Sequence, residues 1–203
     1  MLKIVLASQS PRRKKLLNQL GLSFDVIPST FEEIITSTIP TEVVTDLALQ
    51  KAVEVAQRCE ESLIIGADTI VVLDDHILGK PESKEEAEQM LSRLSSRTHK
   101  VYTGVAFVKT SNKGTIEEKY SFFEETSVEF SELETEEIQA YVKTGSPMDK
   151  AGSYGIQDDW GAVFVKRIEG DYYNVVGFPL NRFYNELKQF EPELLKTISF
   201  PNN

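Results

Sequence analysis

The sequence predicts an α/β protein in which helices flank an extended, mixed β-sheet. Strand-like and helix-like segments alternate in the first part of the chain, a pattern typical of parallel strands joined by helices. The middle instead contains two long strand-like segments, Val101–Lys109 and Tyr120–Phe130, joined by a polar loop through Asn112-Lys113-Gly114. Strands joined by so short a loop pair antiparallel. Parallel and antiparallel pairs are therefore expected in one sheet.

The individual elements are predicted from apolar spacing and from residues that begin or end helices. A strand over Lys3–Ala7 precedes a helix from Pro11 to Leu20, because proline suits a first helical turn and Gly21 suits the left-handed position after the last one. Ser83 and Glu86 have the spacing of a capping box that opens a helix through about Ser95. The remaining predicted elements are strands over Phe24–Ile27, Leu63–Leu73, Ile77–Leu78 and Ala162–Ile168, a turn at Asp74-Asp75-His76, and helices over Thr41–Cys59, Thr135–Lys143 and Leu180–Phe190.

The composition excludes several classes of protein. The 203 residues include 22 Lys plus Arg and 32 Asp plus Glu, for a net charge of −10 at pH 7. Non-specific binding to nucleic acid or to anionic membrane needs a basic surface, so neither partner is expected. The single cysteine, Cys59, forms no intrachain disulfide and supplies no cysteine-rich zinc site.

The order of apolar and basic residues near the start of the sequence predicts a cytoplasmic location. The apolar run Ile4–Ala7 is short and ends at a polar, basic stretch, whereas a signal peptide places its basic residues before a longer apolar region. No segment approaches the roughly 20 apolar residues that span a bilayer.

The turn from the first strand into the first helix has the features of a phosphate site. Ser10 is positioned to cap the helix, whose first N–H groups and dipole favour an anion. Arg12 and Arg13 add guanidinium groups suited to phosphate oxygens. The alternative is that Ser10 only caps the helix and Arg12–Lys15 is a solvated basic face.

Asp68 is unusual because it interrupts an apolar strand. A carboxylate among such neighbours is costly to bury unless it meets a cation or a proton donor. It could therefore be a metal ligand or a general base, with the hydroxyl of Thr69 beside it, or a structural carboxylate that accepts backbone N–H bonds. Gly66, two residues earlier, indicates a bulge or a close backbone approach.

Other polar residues have weaker signals. Lys51 lies near the apolar side of a predicted helix and could be a surface residue with a buried stem. Glu32-Glu33 could be a solvated pair or ligands of a divalent ion, and Lys80 is an isolated lysine in a loop. His76 and His99 lack partners at metal-ligand spacing and are expected in a turn or at the surface. The segment that ends at Gln157 contains two glycines; it could be an ordinary loop, or it could let the backbone approach a planar ring whose donor and acceptor positions the Gln157 amide reads.

Taken together, these segments resemble the Maf family of nucleoside triphosphate pyrophosphatases. The matching motifs occur in family order and span nearly the whole chain. They are Ala7-Ser8-Gln9-Ser10-Pro11-Arg12-Arg13, Glu32-Glu33, Lys51-Ala52, Gly66-Ala67-Asp68-Thr69, Gly79-Lys80-Pro81, the segment from Met148 to Gln157 and the segment from Gly170 to Pro179. Lys15 departs from the pattern, since relatives commonly carry an acid there, and we expect it to change surface charge only.

The resemblance implies a fold and an assembly. The fold is a single domain over residues 1–203 with two lobes around a central cleft, similar to inosine triphosphate pyrophosphatases, and with a tail after about residue 190 that has no motif. It also implies a homodimer.

The resemblance further implies an activity, which is hydrolysis of dTTP and UTP to the monophosphate and pyrophosphate with Mg²⁺ or Mn²⁺. Asp68 matches the family's proton acceptor and, with Lys80, is an expected catalytic residue. Arg12, Thr69 and Gln157 match the positions that select the substrate. The positions that match phosphate or metal ligands are Ser8, Arg13, Glu33, Lys51 and Lys80, with Glu33 and Asp68 as the expected metal ligands.

A nucleotide-binding regulator of cell division with little catalysis is the alternative, because the family has an older association with septum formation. The presence of both Asp68 and Lys80 favours an enzyme. A nucleic-acid-binding module is the weakest interpretation, since the sequence has no basic stripe.

Overall fold

The computed structural model describes residues 2–30, 32–157 and 160–196. The chain divides into two compact units, each built from separate stretches of sequence. The first unit comprises the described parts of residues 1–68, 103–124 and 177–203, and the second those of 69–102 and 125–176. The predicted tail without motifs is described as far as residue 196, and residues 197–203 lie outside the described residues.

Seven strands of the described chain form one mixed sheet. They are β1 (Lys3–Leu6), β2 (Asp25–Val26), β3 (Ser62–Leu73), β4 (His76–Leu78), β5 (Thr98–Thr110), β6 (Ile116–Phe130) and β7 (Val165–Glu169). Their order is β2-β1-β3-β5-β6-β7, with β4 paired to β3. β1 runs parallel to β2 and β3, whereas β4 is antiparallel to β3 and β7 is antiparallel to β6. The predicted mixed α/β class is confirmed.

Most of the predicted helices begin and end close to their predicted residues. They are α1 (Pro11–Gln19), α2 (Pro40–Ala56), α3 (Lys84–Leu94), α4 (Thr135–Lys143), α5 (Gly161–Phe164), α6 (Tyr172–Val176), α7 (Leu180–Phe190) and α8 (Pro192–Leu195), with 3₁₀ segments at Ser146–Asp149 and Ala151–Ser153. Gly21 has the left-handed φ of 69° expected after α1. Ser83 Oγ accepts from the Glu86 N–H, but the Glu86 carboxylate bonds to the Glu82 N–H instead of completing the predicted box. No helix within the described ranges is long and apolar enough to cross a membrane.

The predicted strand over Ala162–Ile168 is wrong in its first half. Residues Gly161–Phe164 form the helical turn α5, and β7 begins only at Val165. The reason is aromatic packing, because the Phe164 ring is buried edge-on against Tyr141, with 5.2 Å between ring centroids. The alternation of apolar residues in a sequence does not show whether one aromatic ring, such as that of Phe164, packs into the core.

In the first unit, α2 lies directly against the backbone of the sheet. A Cβ atom on Gly66 of β3 would lie 2.1 Å from the carbonyl oxygen of Ala48, and one on Gly104 of β5 would lie 2.1 Å from that of Val44. Any side chain at either position would push the helix away, so the close approach expected at Gly66 is confirmed. Small and β-branched residues fill the rest of this contact; they are Val5, Ala7, Ala48, Ala52, Val55, Ala56, Cys59, Ile64, Ala106 and Val108.

The second unit has its own core, and His99 is part of it. The prediction of a turn or surface position is correct for His76, which is exposed after the Asp74-Asp75 turn, and wrong for His99, which is 2% exposed. The alternation of β5 places His99 on the same side as the buried Val101. Its ring packs edge-on against Phe130 at 4.9 Å, and its Nε2 lies 2.8 Å from the hydroxyl of Tyr154. Burial lowers the pKa of His99 from 6.5 to about 4.

His99 therefore makes the protein sensitive to acid. Between pH 6.5 and about 4 the unfolded chain binds a proton at His99 that the folded chain does not bind. The free energy of unfolding consequently falls as the pH falls through this window, by up to about 3 kcal/mol. Urea unfolding at a series of pH values is expected to show a smaller slope in His99→Asn than in the wild type. The exposed control His76→Asn keeps the wild-type slope, and a His99→Asn variant that also kept it would contradict the assignment.

Candidate active site

The turn between β1 and α1 is held by two serine hydroxyls. Ser10 caps α1, and its Oγ accepts from the Arg13 N–H at 3.4 Å. Ser8 is buried, and its Oγ accepts from the Ser10 N–H at 3.2 Å. The predicted cap is confirmed. The backbone of this turn is fixed by contacts within the turn itself, so the position of Arg12 and Arg13 on the first helical turn is fixed as well.

Arg13 ties three distant segments of the first unit together. Its Nε donates to the carbonyl of Gly177 at 3.0 Å, and one terminal nitrogen donates to the carbonyl of Ala67 at 2.8 Å and to Ser8 Oγ at 3.4 Å. Burial lowers the pKa of Arg13, and the negative charge of Asp68 opposes that shift. Arg13 thus connects the β1–α1 turn, β3 and the segment before α7, next to a carboxylate that favours its charge.

Lys51, Asp68 and Glu33 form one charged cluster. The ammonium of Lys51 lies 2.5 Å from a carboxylate oxygen of Asp68 and 2.8 Å from a carboxylate oxygen of Glu33. The side chains of Lys51 and Asp68 are only 17% and 13% exposed, whereas Glu33 is half exposed. Lys51 and Asp68 form a largely buried ion pair, a contact that was not among the alternatives given for either residue from the sequence. The remaining exposed edge of the cluster is formed by the carboxylate of Glu33.

The local fold explains why Lys51 meets Asp68. Gly66 and Asp68 are two residues apart on β3, which is continuous through both, so their side-chain positions share the face covered by α2. Lys51 is on α2 one residue before Ala52, whose atoms lie 3.0 Å from the position of a Gly66 Cβ. Thr69, the next residue on β3, points to the opposite face of the strand. The side chains of Asp68 and Thr69 therefore lie on opposite faces of the sheet.

The other predicted site residues lie as follows. Arg12 is half-buried on α1, and Glu32 is exposed. Thr69, Lys80 and Gln157 belong to the second unit, where Thr69 and Gln157 are half-buried and Lys80 is exposed. Within that unit, the Gly152 N–H donates to the carbonyl of Gly79 at 3.0 Å. This bond joins the segment that carries Lys80 to the segment that leads to Gln157.

The structure adds hydrogen-bonding groups that sequence reasoning missed. The carbonyls of Ala67 and Gly177 hold Arg13, and the hydroxyl of Tyr154 contacts His99 just before Gln157. Every residue has a carbonyl, so no sequence signal singles out those two. Tyr154 and Gly177 do lie in motifs noted in the sequence, but their contacts depend on residues 55 and 164 positions away.

The two carboxylates of the cluster are suited to a divalent cation. Glu33 and Asp68 both reach the same ammonium, which shows that their oxygens face a common point. Mg²⁺ is commonly held by one or two carboxylates together with substrate phosphates, so two such groups suffice. Among the described residues there is no group of three or more His, Cys, Asp or Glu residues arranged to hold a metal by themselves. The donor set thus fits a cation that arrives with a phosphate ligand.

These features coincide with a family match. The family model described as Maf-like protein matches residues 3–190, and the chain belongs to this family. Within the matched range lie the β1–α1 turn, the Lys51–Asp68–Glu33 cluster and the segment that ends at Gln157. The family resemblance stated from the sequence motifs is confirmed.

Curated relatives and a solved structure are similar over nearly the whole chain. A dTTP/UTP pyrophosphatase of Bacillus cytotoxicus is 52% identical over 192 residues, covering 94% of this chain and 97% of that protein. A dTTP/UTP pyrophosphatase of Bacillus anthracis is 51% identical over 191 residues, covering 94% and 96%. The structure of a HAM1 protein from Coxiella burnetii is 16% identical with a TM-score of 0.52, covering 95% of this chain and all of that one. The HAM1 likeness shows the fold.

Arg13→Lys tests whether the hydrogen bonds from Arg13 to the Gly177 and Ala67 carbonyls stabilise the fold. A lysine keeps the charge but lacks the planar guanidinium that donates to the carbonyls of both Gly177 and Ala67. At least one of these buried carbonyls therefore loses its donor. We expect the free energy of unfolding to fall by about 1–3 kcal/mol in urea titrations. Lys14→Gln, an exposed change on the same helix, is the control and stays within about 0.5 kcal/mol of the wild type. If Arg13→Lys were as stable as the control, the guanidinium would not be a structural tie.

Proposed function

We propose that this protein is a nucleoside triphosphate pyrophosphatase that hydrolyses dTTP and UTP to the nucleoside monophosphate and pyrophosphate. The observation that carries the proposal is the largely buried Asp68 carboxylate held by Lys51, with a second carboxylate on the same ammonium. This arrangement lies within a chain about half identical to two proteins named dTTP/UTP pyrophosphatase. Hydrolysis of an acid anhydride needs an oriented proton acceptor and nearby cations, and the cluster has both kinds of group.

In the proposed reaction, water attacks the α-phosphorus. The new bond joins the water oxygen to that phosphorus, and the bond that breaks joins the phosphorus to the oxygen bridging to the β-phosphate. Pyrophosphate leaves with the bonding electrons, and the proton of the water passes to Asp68. Lys51 holds the Asp68 carboxylate through one of its three N–H donors, so the other carboxylate oxygen is the one proposed to accept the proton.

The proposed binding residues neutralise a polyphosphate. Ser8, Arg12 and Lys51 are the proposed phosphate contacts of the first unit, and Lys80 is that of the second. Arg13 acts in two ways, because its charge adds to the local field while its N–H groups fix the β1–α1 turn. Phosphoryl transfer depends mainly on positioning and charge neutralisation, which these residues provide.

Glu33 and Asp68 are the residues proposed to hold Mg²⁺ or Mn²⁺. When bound, the metal would neutralise charge on the leaving pyrophosphate. The support for this proposal is that both carboxylates face a single positive charge. Glu33, the more exposed of the two, is the carboxylate that a cation from solution reaches first.

Selection of the base is proposed for Gln157, together with Arg12 and Thr69. The amide of Gln157 offers a donor and an acceptor, which matches the edge of uracil or thymine. A site built to hydrogen-bond its substrate rejects analogues that lack the matching groups. Gln157 follows a segment that is held by the contacts of Tyr154 and Gly152. These contacts fix the backbone that leads to Gln157 within the second unit.

A cytoplasmic location and a homodimeric assembly complete the proposal. The location rests on the apolar run Ile4–Ala7, which is buried in the fold as part of the β1 segment, and the assembly rests on the family resemblance. Light scattering on the purified chain measures the assembly directly.

The proposed function is tested by measuring pyrophosphate release from a panel of nucleoside triphosphates, with and without Mg²⁺ or Mn²⁺. We expect release from dTTP and UTP above all others, and dependence on the metal. In ¹⁸O-labelled water the label is expected in the monophosphate, because the attack is at the α-phosphorus. Label found only in pyrophosphate would contradict that site of attack. A chain that binds nucleotide but releases no pyrophosphate from any of the panel would instead be a nucleotide-binding regulator.

Asp68→Asn tests the proton acceptor. The amide keeps the size of the side chain but accepts no proton, so kcat for UTP is expected to fall about 10²–10⁴-fold. KM is expected to change much less, since the phosphate contacts remain. Steady-state kinetics measure both constants, and the urea midpoint shows whether the variant is folded. A folded Asp68→Asn variant with wild-type kcat would remove Asp68 from the reaction.

A further inference from the structure

The segment Glu33–Ile39, which we call the strap, has no regular secondary structure, yet it carries one of the three charged groups of the cluster. Ile34 and Ile35 are 53% and 61% exposed, so apolar burial does little to hold the strap. The position of the Glu33 carboxylate must therefore be fixed by polar contacts. Within the described part of the chain, the side chains that hold the strap from outside it belong to α2.

A polar stripe on α2 binds the strap along its length. Glu42, Asp46 and Gln50 are four residues apart and lie on one face of the helix. Their partners run in the opposite direction: Ser37 Oγ lies 2.6 Å from Glu42, Thr36 Oγ1 lies 3.4 Å from Asp46, and Ile34 bonds to Gln50. The strap thus runs antiparallel to α2, and this direction places Glu33 beside Lys51.

Gln50 makes the only contact of this stripe, among the described residues, that uses both a donor and an acceptor. Its Oε1 accepts from the Ile34 N–H at 3.1 Å, and its Nε2 donates to the Ile34 carbonyl at 2.7 Å. The amide pairs with the Ile34 N–H and carbonyl as a neighbouring strand would, which fixes the backbone on both sides of this residue. The next residue on the helix, Lys51, contacts the Glu33 side chain. Consecutive residues of α2 therefore hold consecutive residues of the strap.

We propose that Gln50 is a positioning residue of the site: by clamping the backbone of Ile34, it holds the Glu33 carboxylate beside Lys51 and Asp68. This inference rests on the proposed function only in taking Glu33 to bind a metal-loaded nucleotide. Gln50 itself is one helix position from Lys51 and reaches the cluster through Ile34. Without the clamp, Glu33 would sample many positions and its contribution to binding would be diluted.

The test compares Gln50→Met with the wild type, because methionine matches glutamine in length and helix propensity but makes no amide bonds. Two readouts are used on the full chain: hydrogen exchange of the Ile34 amide without nucleotide, and calorimetric binding of α,β-methylene-UTP with Mg²⁺. The first reports the clamp, and the second reports Glu33. Neither requires turnover.

We expect about tenfold faster exchange at Ile34 and about tenfold weaker binding in Gln50→Met, since the lost hydrogen bonds are worth about 1 kcal/mol or slightly more. Gln50→Met combined with Glu33→Gln is expected to bind no more weakly than Glu33→Gln alone, because both changes remove one function. Gln57→Met, the same change at an exposed position at the end of α2, is the matched control and keeps wild-type affinity.

Several outcomes would overturn the proposal. Unchanged exchange at Ile34 in a folded Gln50→Met variant would show that the clamp does not hold the strap. Faster exchange with unchanged affinity, additive losses in the double variant, or an equal loss in Gln57→Met would show that Gln50 does not position Glu33. Failure of the proposed function is separate, since it appears as absence of pyrophosphate release from the wild type while both readouts above are still measured.

Discussion

The ion pair between Lys51 and Asp68 is the interaction around which the first unit is arranged. Both side chains are more than four-fifths buried, and a charge in such a position is tolerated only with a close partner. The pair forms because α2 lies directly on the backbone of β3 and β5, which glycine at positions 66 and 104 permits. The contact between α2 and the sheet therefore does two things: it gives each buried charge its partner, and it requires glycine where the helix meets the strands.

Arg13 extends this arrangement from the helix–sheet contact to the rest of the site. It hydrogen-bonds the carbonyl of Ala67, the residue before Asp68, and that of Gly177, and it does so from the first turn of α1. The strand that carries Asp68 and the turn that carries Ser8 are thus held by one guanidinium. Planar donors in a rigid fork suit this task better than the single flexible charge of a lysine.

The two units treat buried polar groups in different ways. The first unit buries opposite charges against each other, at Lys51 and Asp68. The second unit buries His99 against the hydroxyl of Tyr154, with aromatic rings around both, and burial keeps the imidazole neutral by lowering its pKa. The cluster places two carboxylates around one ammonium, which suits a cation that binds together with a phosphate, whereas the neutral pair fixes a loop. The difference agrees with the roles proposed for Asp68 and for the segment that ends at Gln157.

The sequence by itself determined the mixed sheet, the positions of α1, α4 and α7 within a residue, and the identity of Asp68 as a carboxylate needing an explanation. These follow from local rules, because apolar spacing, caps and a charge inside an apolar strand are visible within a short window. The tertiary structure alone decided that Lys51 is a partner of Asp68 and not a surface residue, that Arg13 binds carbonyls, that His99 is buried, and that Phe164 ends a helical turn. Each of these depends on a residue or a backbone group far along the chain. A local pattern shows that a side chain is polar or apolar, but only the packing of distant segments determines which group it meets.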